Sequence, residues 1–426
     1  MKSSFNTAEE IKKWLNSVPM FSSSGRSAAN FNLDRMVQLM KLMGNPQQSF
    51  KSIHVGGTNG KGTVCRMLAS VYQAAGYITA LYTSPHLMSV WERFKINAEQ
   101  VNPEEIIPFF REYGSYLEEH KFTYFEITTA IAFWYFDKMN ADIAIIEVGL
   151  GGRLDATNVI DPLLSVITSV SLDHTDILGN SLESVAFEKS GIIKKKRPVV
   201  IGDVPAESEK IIQQAAAEKG ADVIKYSKVP FSYEDGKILL KTQENSEIII
   251  PYAGKNVDAL NAALVYLVIN VLSNELPVEQ HQFIDGIKTC HQKFPKTAAF
   301  EKLHPEFNWF FDGAHNPEAA KHLVNHLKSM ALPDQCSVVL TFMRDKLSEE
   351  MVYIWQEFDN IYLYEMKSDR AASIAEMKQL FPKAKQILSF ENVKSNQFKT
   401  ELVIFSGSFY FYNEVSKWLG ATSAAQ

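Results

Sequence analysis

The stretch Gly56–Thr63, which reads GGTNGKGT, decides the fold because it forms a glycine-rich turn between a strand and a helix. The apolar run Ile53-His54-Val55 precedes it, and the helical pattern of Val64–Ala75 follows it. Glycines let backbone N–H groups turn toward phosphate oxygens, and a helix N-terminus adds positive partial charge. Lys61 can then reach the β- and γ-phosphates of a nucleotide, and Thr63 can ligate Mg²⁺.

The loop departs from the usual spacing of a phosphate loop, G-x-x-x-x-G-K-[ST]. Val55 stands at the place of the first glycine, and Gly62 separates Lys61 from Thr63. The octapeptide is therefore either a chance cluster of glycines or a variant phosphate loop. The rest of the chain has to distinguish these two interpretations.

The composition describes an ordinary globular protein that is large enough for two domains. The chain has 426 residues, of which 46% are hydrophobic and 22% are charged. Its net charge of −6 argues against nucleic acid as the main partner. Three widely spaced cysteines form no disulfide or metal-binding pattern, which favours a reducing compartment. Because we find no signal peptide and no apolar run of bilayer-spanning length, we expect a cytoplasmic protein without a membrane partner.

Apolar strands alternate with helices along most of the chain. Continuous apolar runs such as Ala141–Val148 and Leu163–Val170 are typical of parallel strands covered on both faces. The Asp235-Gly236 turn signal predicts a small β-insertion near residues 226–252. The polar, proline-containing segment His291–Phe300 predicts a domain boundary, after which the strand–helix rhythm restarts.

We therefore predict an α/β protein with two domains. Residues 1–293 would form a P-loop-type domain with a mostly parallel sheet, and residues 294–426 a smaller Rossmann-like α/β domain. In such sheets, ligands bind beyond the carboxyl ends of the strands.

Three features fall at that edge of the first sheet: the Gly56–Thr63 loop, Glu147 at the end of a strand, and His174 after the next strand. Thr63, Glu147 and His174 could supply the donors that Mg²⁺ needs beside nucleotide phosphates. Taken singly, Glu147 is also explained as a solvent-facing strand end and His174 as a structural histidine. Their convergence on one edge favours a metal site.

Two further groups stand out by position. Lys189 lies late on a helix, where a cation is favourable near the helix C-terminus. In the second domain, Asp312 ends a strand, His315 follows it, and Asn316-Pro317 is suited to begin a helix. Asp312 and His315 are therefore expected at the ligand-facing edge of the second sheet.

The chain resembles the folylpolyglutamate synthase/dihydrofolate synthase branch of the Mur ligase superfamily. The resemblance is carried in family order by these segments: Leu42–Gln47 (LMGNPQ), Gly57–Thr63 (GTNGKGT), Thr83–Leu87 (TSPHL), Phe125–Thr128 (FEIT), Ile146–Asn158 (IEVGLGGRLDATN), Leu172–Thr175 (LDHT), Glu188–Ile193 (EKSGII) and Asp312–Pro317 (DGAHNP). The variant spacing of the loop is itself typical of Mur-type ligases. The resemblance favours the variant phosphate loop over the chance cluster.

The resemblance implies an ATP-dependent amide ligase. Such enzymes phosphorylate a carboxylate with ATP, and the amine of L-glutamate attacks the acyl phosphate. The acceptor would be a folate or a dihydropteroate, the cofactors ATP and Mg²⁺, and the protein a monomer. Lys189 matches a lysine that family members commonly carry as a carbamate.

The site residues that the resemblance implies fall into four groups. The catalytic group is Lys61, Lys189, Asp312 and His315. The ATP-binding group is Thr58, Asn59, Gly60, Lys61, Gly62, Thr63, Asn261 and Asp312. The substrate-binding group is Ser84, His86, Arg93 and Phe125, and the metal-binding group is Thr63, Glu147 and His174.

The sequence departs from the family pattern in or beside the second domain. Phe294-Pro295-Lys296-Thr297 stands where the family has Trp-Pro-Gly-Arg, and Asp345-Lys346-Leu347 stands where it has Asp-Lys-Asp. These departures leave two alternatives open: a ligase that acts on a non-folate acceptor, and a non-catalytic paralogue that binds nucleotide or folate. The sequence does not determine the acceptor, the glutamate chain length or the linkage.

Overall fold

The computed structural model describes residues 5–19, 32–242, 246–295, 298–387, 398 and 400–423. The chain divides into two compact units, Met1–Pro295 and Lys296–Gln426. The predicted boundary followed residue 293, whereas Phe294 is fully buried in the core of the first unit and its N–H bonds to Cys290 O at 2.8 Å. The departure at Lys296-Thr297 lies outside the described residues.

The described residues of the first unit form an eight-stranded, mostly parallel sheet, as the sequence predicts. The strands in chain order are β1 (Lys51–Gly56), β2 (Thr79–Tyr82), β3 (Phe94–Ile96), β4 (Glu99–Gln100), β5 (Ile143–Glu147), β6 (Leu164–Ser169), β7 (Val199–Asp203) and β8 (Val223–Lys225). Their spatial order is β4-β3-β2-β5-β1-β6-β7-β8, and only pairs that involve β3 or β4 are antiparallel among them.

Helices cover both faces of this sheet. They are α1 (Ala8–Ser17), α2 (Asp34–Leu42), α3 (Lys61–Ala74), α4 (Ile107–Glu119), α5 (Tyr124–Lys138), α6 (Thr175–Leu178), α7 (Leu182–Ser190), α8 (Ala206–Lys219), α9 (Asn256–Val271) and α10 (Gln280–Lys293). The predicted β-insertion is a separate three-stranded antiparallel sheet of β9 (Phe231–Glu234), β10 (Lys237–Lys241) and β11 (Glu247–Pro251).

Alternation along the strands separates the two faces of the first sheet. Leu81 and Ile145 belong to the core under α3, α9 and α10, whereas Tyr82 and Ile146 belong to the core under α4 and α5. Strand β1 lies between β5 and β6, so the loop that follows β1 leaves the sheet between the ends of two neighbouring strands. This register places the loop beside Glu147, which pairs with Val55.

The described residues of the second unit form a six-stranded sheet. Its strands are β12 (Ala299–Lys302), β13 (Asn308–Asp312), β14 (Cys336–Leu340), β15 (Asn360–Tyr364), β16 (Lys385–Ile387) and β17 (Leu402–Ser406). Their order is β12-β13-β17-β14-β15-β16, and β12 is antiparallel to its neighbour. The helices are α11 (Pro317–Met330), α12 (Glu349–Trp355), α13 (Ile374–Leu380) and α14 (Phe411–Ser423).

Some predicted elements differ from the structure. Helix α3 begins at Lys61 rather than Val64, because Gly60 takes a left-handed backbone (φ +86°) that starts the helix inside the loop. The two units divide after Pro295, inside the predicted boundary segment His291–Phe300, although helix α10 extends into that segment through Lys293. The sequence analysis also missed the short strands β12 and β16.

Within the described residues, the helices lack the combination of length and apolar character that crossing a bilayer requires. Cys65, Cys290 and Cys336 are buried, and none of the three forms a disulfide bond in the part of the chain that the structure describes.

Helix α10 packs unusually close to α3. A Cβ added at Gly286 would lie 2.5 Å from Val71 Cα, and Ser70 Oγ donates a hydrogen bond to Gly286 O at 2.6 Å. The two helix backbones are therefore in direct contact at Gly286. This contact holds the helix that carries the glycine-rich loop against the first unit.

Gly286→Ala is expected to lower the free energy of unfolding of the first unit by about 1–3 kcal/mol, because the new methyl group overlaps the α3 backbone. Alanine by itself stabilises a helix interior by about 1 kcal/mol relative to glycine. The steric overlap with α3 acts against that stabilisation. Urea unfolding followed by circular dichroism measures the change. Lys288→Ala, at an exposed position of the same helix, serves as the control; equal or greater stability of the Gly286 variant would show that the two helices can separate at little cost.

Candidate active site

The glycine-rich loop is anchored to the end of β6. Thr58 N donates to Ser169 O at 2.9 Å, Asn59 N donates to Ser169 Oγ at 2.9 Å, and Thr168 Oγ1 donates to Asn59 O at 2.6 Å. Gly57 has φ +144°, and a Cβ there would lie 1.9 Å from Thr168 Oγ1. Only glycine fits at this approach, and the anchored loop directs the N-terminus of α3 toward the sheet edge.

Lys61 folds back over the loop. Its Nζ donates to Gly57 O at 2.9 Å and to Thr58 O at 3.0 Å. The ammonium group is thus held at the mouth of a loop whose helix terminus already favours an anion. Asn261 of α9 also reaches the loop, since its Oδ1 would lie 3.0 Å from a Cβ at Gly60.

Glu147 is a buried carboxylate beside this loop. It is 4% exposed, and its Oε2 accepts a hydrogen bond from Ser84 N at 2.9 Å. Its Oε1 would lie 3.5 Å from a Cβ at Gly62, which precedes Thr63. Burial raises the pKa of Glu147, and the charge of Lys61 is the largest of the effects that oppose this rise. The site therefore holds a buried carboxylate close enough to the Lys61 ammonium group for that charge to act on it.

His174 and Lys189 lie near a second carboxylate, Asp173. His174 precedes α6 in a left-handed conformation (φ +49°), its N–H donates to Asp173 Oδ1 at 2.9 Å, and its Nε2 is 4.0 Å from that oxygen. Lys189 is 3% exposed at the end of α7. Burial, followed by the charge of Lys61, lowers the pKa of Lys189 to about 7, and Asp173 opposes this shift. Lys61, Asp173 and Lys189 thus share one electrostatic environment.

The structure brings Glu147 to Gly62, the residue before Thr63, and it places His174 beside Asp173. Among the described residues, no three His, Cys, Asp or Glu side chains are grouped closely enough to hold a metal by themselves. The donors of the predicted set are nevertheless suitable for Mg²⁺, because a hydroxyl and a buried carboxylate are hard ligands. Such an ion would need phosphate oxygens to complete its coordination.

Two of the predicted substrate-binding residues, His86 and Arg93, contact each other directly. Arg93 is buried, its Nε donates to His86 Nδ1 at 2.9 Å, and its guanidinium lies 5.7 Å from the Tyr124 ring centroid. Burial, followed by the charge of Arg93, lowers the pKa of His86 to about 3, so the ring that accepts this bond is neutral. Ser84 lies by Glu147, after a strand, in the Ser84–Pro85 cis peptide.

Phe125 packs on the chain just after β5. A Cβ at Gly149 would lie 2.4 Å from Phe125 Cζ, and the ring is 6.1 Å from that of Tyr82. The loop that carries His86 and Arg93 is itself ordered by Glu92, whose carboxylate accepts hydrogen bonds from three consecutive backbone N–H groups, Leu87, Met88 and Ser89.

Asp155 organises the segment after Glu147, and the sequence analysis assigned it no role. Its Oδ2 accepts hydrogen bonds from Gly149 N at 3.0 Å and Leu150 N at 2.9 Å. Its Oδ1 accepts from Thr157 N at 3.0 Å and from the Thr157 hydroxyl. The only sequence signal was its position within the Ile146–Asn158 motif.

The hydrogen-bond chain continues to His54 on β1. His54 Nε2 lies 2.8 Å from Thr157 Oγ1. Because the single hydroxyl proton of Thr157 goes to Asp155, His54 must donate from Nε2. Burial lowers the pKa of His54 to about 3, which keeps the ring neutral. A chain of three side chains thus connects the central strand to the loop beyond Glu147.

The second unit places Asp312 and His315 in the loop after β13. Asp312 Oδ1 accepts from Ala314 N at 3.0 Å, and His315 Nδ1 donates to Gly313 O at 2.9 Å. Asn316 Oδ1 accepts from Ala319 N at 2.9 Å and so caps α11. Asp312 and His315 therefore lie at the carboxyl edge of the second sheet, as predicted.

Comparison with known proteins supplies an independent test. The sequence profile of the Mur ligase middle domain matches residues 55–272. The dihydrofolate synthase/folylpolyglutamate synthase of Bacillus subtilis (strain 168) is 31% identical over 415 residues, covering 91% of this chain and 94% of that protein. The protein of the same name from Escherichia coli (strain K12) is 30% identical over 381 residues, covering 86% of each.

Solved structures resemble the whole chain. The E. coli FolC protein in complex with DHPP and ADP matches with a TM-score of 0.87 at 27% identity, covering 99% of both chains. The Mycobacterium tuberculosis folylpolyglutamate synthase complexed with ADP and AMPPCP matches with a TM-score of 0.84 at 25% identity, covering 97% of this chain and 98% of that one.

Thr157→Val is expected to reduce the free energy of unfolding by about 1–3 kcal/mol, because His54 and Asp155 would each lose a buried hydrogen-bond partner. Thr157→Ser keeps the hydroxyl and serves as the matched control, with a loss of about 1 kcal/mol or less. Chemical denaturation of both variants measures the difference. If valine and serine had the same effect, the hydroxyl would contribute nothing to the chain from His54 to Asp155.

Proposed function

The chain belongs to the folylpolyglutamate synthase/dihydrofolate synthase family of Mur ligases, and on that premise we propose that it uses ATP to join L-glutamate to the carboxylate of a folate or a dihydropteroate. One observation carries this proposal: an anchored phosphate loop, with Lys61 folded over it, lies beside the buried carboxylate of Glu147. The loop and Lys61 would position the phosphates and stabilise their negative charge, and the Glu147 carboxylate would serve as an oxygen ligand for Mg²⁺.

The reaction has two steps. First, a carboxylate oxygen of the acceptor attacks the γ-phosphorus of ATP, the bond between that phosphorus and the bridging oxygen breaks, and ADP leaves. Second, the glutamate amine attacks the acyl carbon, a C–N bond forms, the C–O bond to phosphate breaks, and the amine loses a proton. In both steps Lys61 and the N–H groups at the start of α3 would hold the phosphate oxygens.

The remaining predicted residues receive their roles within this proposal. Thr63, Glu147 and His174 would hold Mg²⁺, which would supply positive charge to the β- and γ-phosphate oxygens. Asn261, beside Gly60, would contact the nucleotide, and Asp312 and His315 would contact the nucleotide or the incoming glutamate. Ser84, His86, Arg93 and Phe125 would bind the pteridine-bearing acceptor.

Lys189 has the properties that carbamate formation needs. An amine reacts with CO₂ only when neutral, and a lysine of ordinary pKa is almost entirely charged near neutral pH. Burial and Lys61 lower the pKa of Lys189 to about 7, so a large fraction is neutral at that pH. Reaction with CO₂ forms an N–C bond, releases a proton and leaves an anion beside the Lys61 cation. We therefore include a carbamate on Lys189 in the proposal.

We also propose that the protein acts as a monomer in the cytoplasm. Cys65, Cys290 and Cys336 are buried thiols outside any disulfide bond among the described residues, which suits a reducing compartment. Light scattering of the purified chain decides the oligomeric state.

The purified protein is expected to release ADP and form a glutamate amide when given ATP, Mg²⁺, L-glutamate and one of four acceptors: dihydropteroate, pteroate, folate or tetrahydrofolate. Lys61→Met should lower kcat/KM about 100-fold or more, because the phosphates lose their charged partner. Lys41→Met, at an exposed position of α2, should stay within about twofold. The pattern across acceptors separates a dihydrofolate synthase from a folylpolyglutamate synthase.

Two results would contradict the proposal. ADP release with a non-folate acid and none with the four acceptors would indicate a ligase of different specificity. Nucleotide binding without any turnover would indicate a non-catalytic paralogue.

The carbamate is tested with ¹³C-labelled bicarbonate. We expect a carbamate resonance that grows as the pH rises through about 7, because the neutral form of Lys189 then increases. Lys189→Met should abolish the resonance. Lys194→Met should keep it, although the pKa of Lys194 is also lowered, mainly by burial, to about 8; its Nζ donates to Asn158 O at 2.8 Å. A resonance that survives in the Lys189 variant would place the modification elsewhere.

A further inference from the structure

Arg66 lies on α3, one turn beyond Thr63, and the mechanism above gives it no role. Its Nη1 would lie 3.6 Å from a Cβ at Gly62, and Glu147 Oε1 would lie 3.5 Å from the same point. Gly62 is therefore flanked by a guanidinium and a carboxylate. The absence of a side chain at Gly62 leaves room between these two charged groups at the edge of the phosphate loop.

Part of the Arg66 guanidinium is buried without a protein partner. Its Nε is inaccessible to solvent and makes no hydrogen bond with any residue that the structure describes. A buried donor on a cation is costly unless an acceptor meets it. The Arg66 guanidinium therefore has hydrogen-bonding capacity that the described residues leave unused.

Lys95 adds a second cation on the same face of the sheet. It lies on β3 opposite Leu81, whose side chain belongs to the core under α3. Its Nζ is 5.9 Å from the centroid of the Phe294 ring. Burial, followed by the charge of Arg66, lowers the pKa of Lys95. Two neighbouring cations in a partly buried place favour an anion between them.

The position of the pair indicates which anion. The phosphate loop and Lys61 already provide the donors for the nucleotide phosphates. Arg66 lies one turn further along α3, which packs over β2 and β5, and Lys95 follows the Ser84–Arg93 loop assigned to the acceptor. Along the chain, Arg66 thus adjoins the phosphate loop and Lys95 adjoins the acceptor loop. An acceptor carboxylate held by the Ser84–Arg93 loop has to approach the phosphate loop to reach the γ-phosphorus.

We propose that Arg66, assisted by Lys95, binds the reacting carboxylate of the acceptor and the acyl phosphate formed from it. This inference rests on the proposed function. A guanidinium can hold a carboxylate with two parallel N–H···O bonds, which fixes the orientation of the attacking oxygen. The same cation then meets the increased negative charge when the carboxylate becomes an acyl phosphate.

Steady-state kinetics of Arg66→Gln test the inference. We expect the KM for the acceptor to rise about tenfold to a hundredfold, since a charged hydrogen-bond donor is lost. The KM for ATP should change by about twofold or less. Arg66→Lys keeps the positive charge but lacks the planar guanidinium. Its acceptor KM should therefore lie between those of the unmodified protein and Arg66→Gln. Arg111→Gln, at an exposed position of α4, is the matched control.

Calorimetry provides a second readout that needs no turnover. Dihydropteroate or tetrahydrofolate is titrated into each variant in the presence of AMPPCP, and the thermal unfolding midpoint checks folding. Weaker acceptor binding by Arg66→Gln, with an unchanged midpoint, supports the inference. If Arg66→Gln fails to fold, the same titration of Arg66→Lys and Lys95→Gln decides, with weaker binding expected in both.

Three outcomes overturn it. An acceptor KM and affinity equal to those of the unmodified protein would show that Arg66 does not meet the carboxylate. A rise in the KM for ATP alone would assign Arg66 to the nucleotide phosphates. If the unmodified protein neither turns over nor binds any acceptor, the proposed function fails, and the inference fails with it. If the unmodified protein turns over normally and the Arg66 substitutions leave the acceptor KM unchanged, only the inference fails.

Discussion

The attachment of the glycine-rich loop to the end of β6 is the constraint on which the rest of the site depends. Thr58 and Asn59 are bonded to Ser169, and Thr168 closes over the loop from the neighbouring strand. These bonds fix where α3 begins. They thereby also fix where Lys61 and Arg66 stand relative to Glu147, which ends the strand on the other side of β1.

The site concentrates charges that water does not screen. Glu147 and Lys189 are each less than a twentieth exposed, and the charge of Lys61 acts on both. In such surroundings a change of one charge has a large effect on its neighbours. The proposed carbamate would replace the Lys189 cation, which the charge of Lys61 disfavours, by an anion that the charge of Lys61 would stabilise.

The sequence predicted those parts of the fold and site that depend on local pattern. Continuous apolar runs located the parallel strands, and glycine spacing located the phosphate loop. Helix α10 was missed because much of its surface is polar, although its buried residues Phe283, Gly286, Ile287 and Cys290 recur at helical spacing. Asp155 and Arg66 were missed for a different reason. Their importance comes from partners that sheet register and helix packing bring together, and no periodicity in the sequence records such contacts.

One feature of α3 also affects the chemical durability of the protein. Cys65 lies between Thr63 and Arg66, yet its thiol is completely buried. Burial, followed by the charge of Glu147, raises the pKa of Cys65, so the reactive thiolate is suppressed. Oxidants and alkylating reagents can attack this thiol only when the helix opens. The rate at which a thiol reagent labels Cys65 in the native protein therefore measures how often the helix that follows the phosphate loop opens.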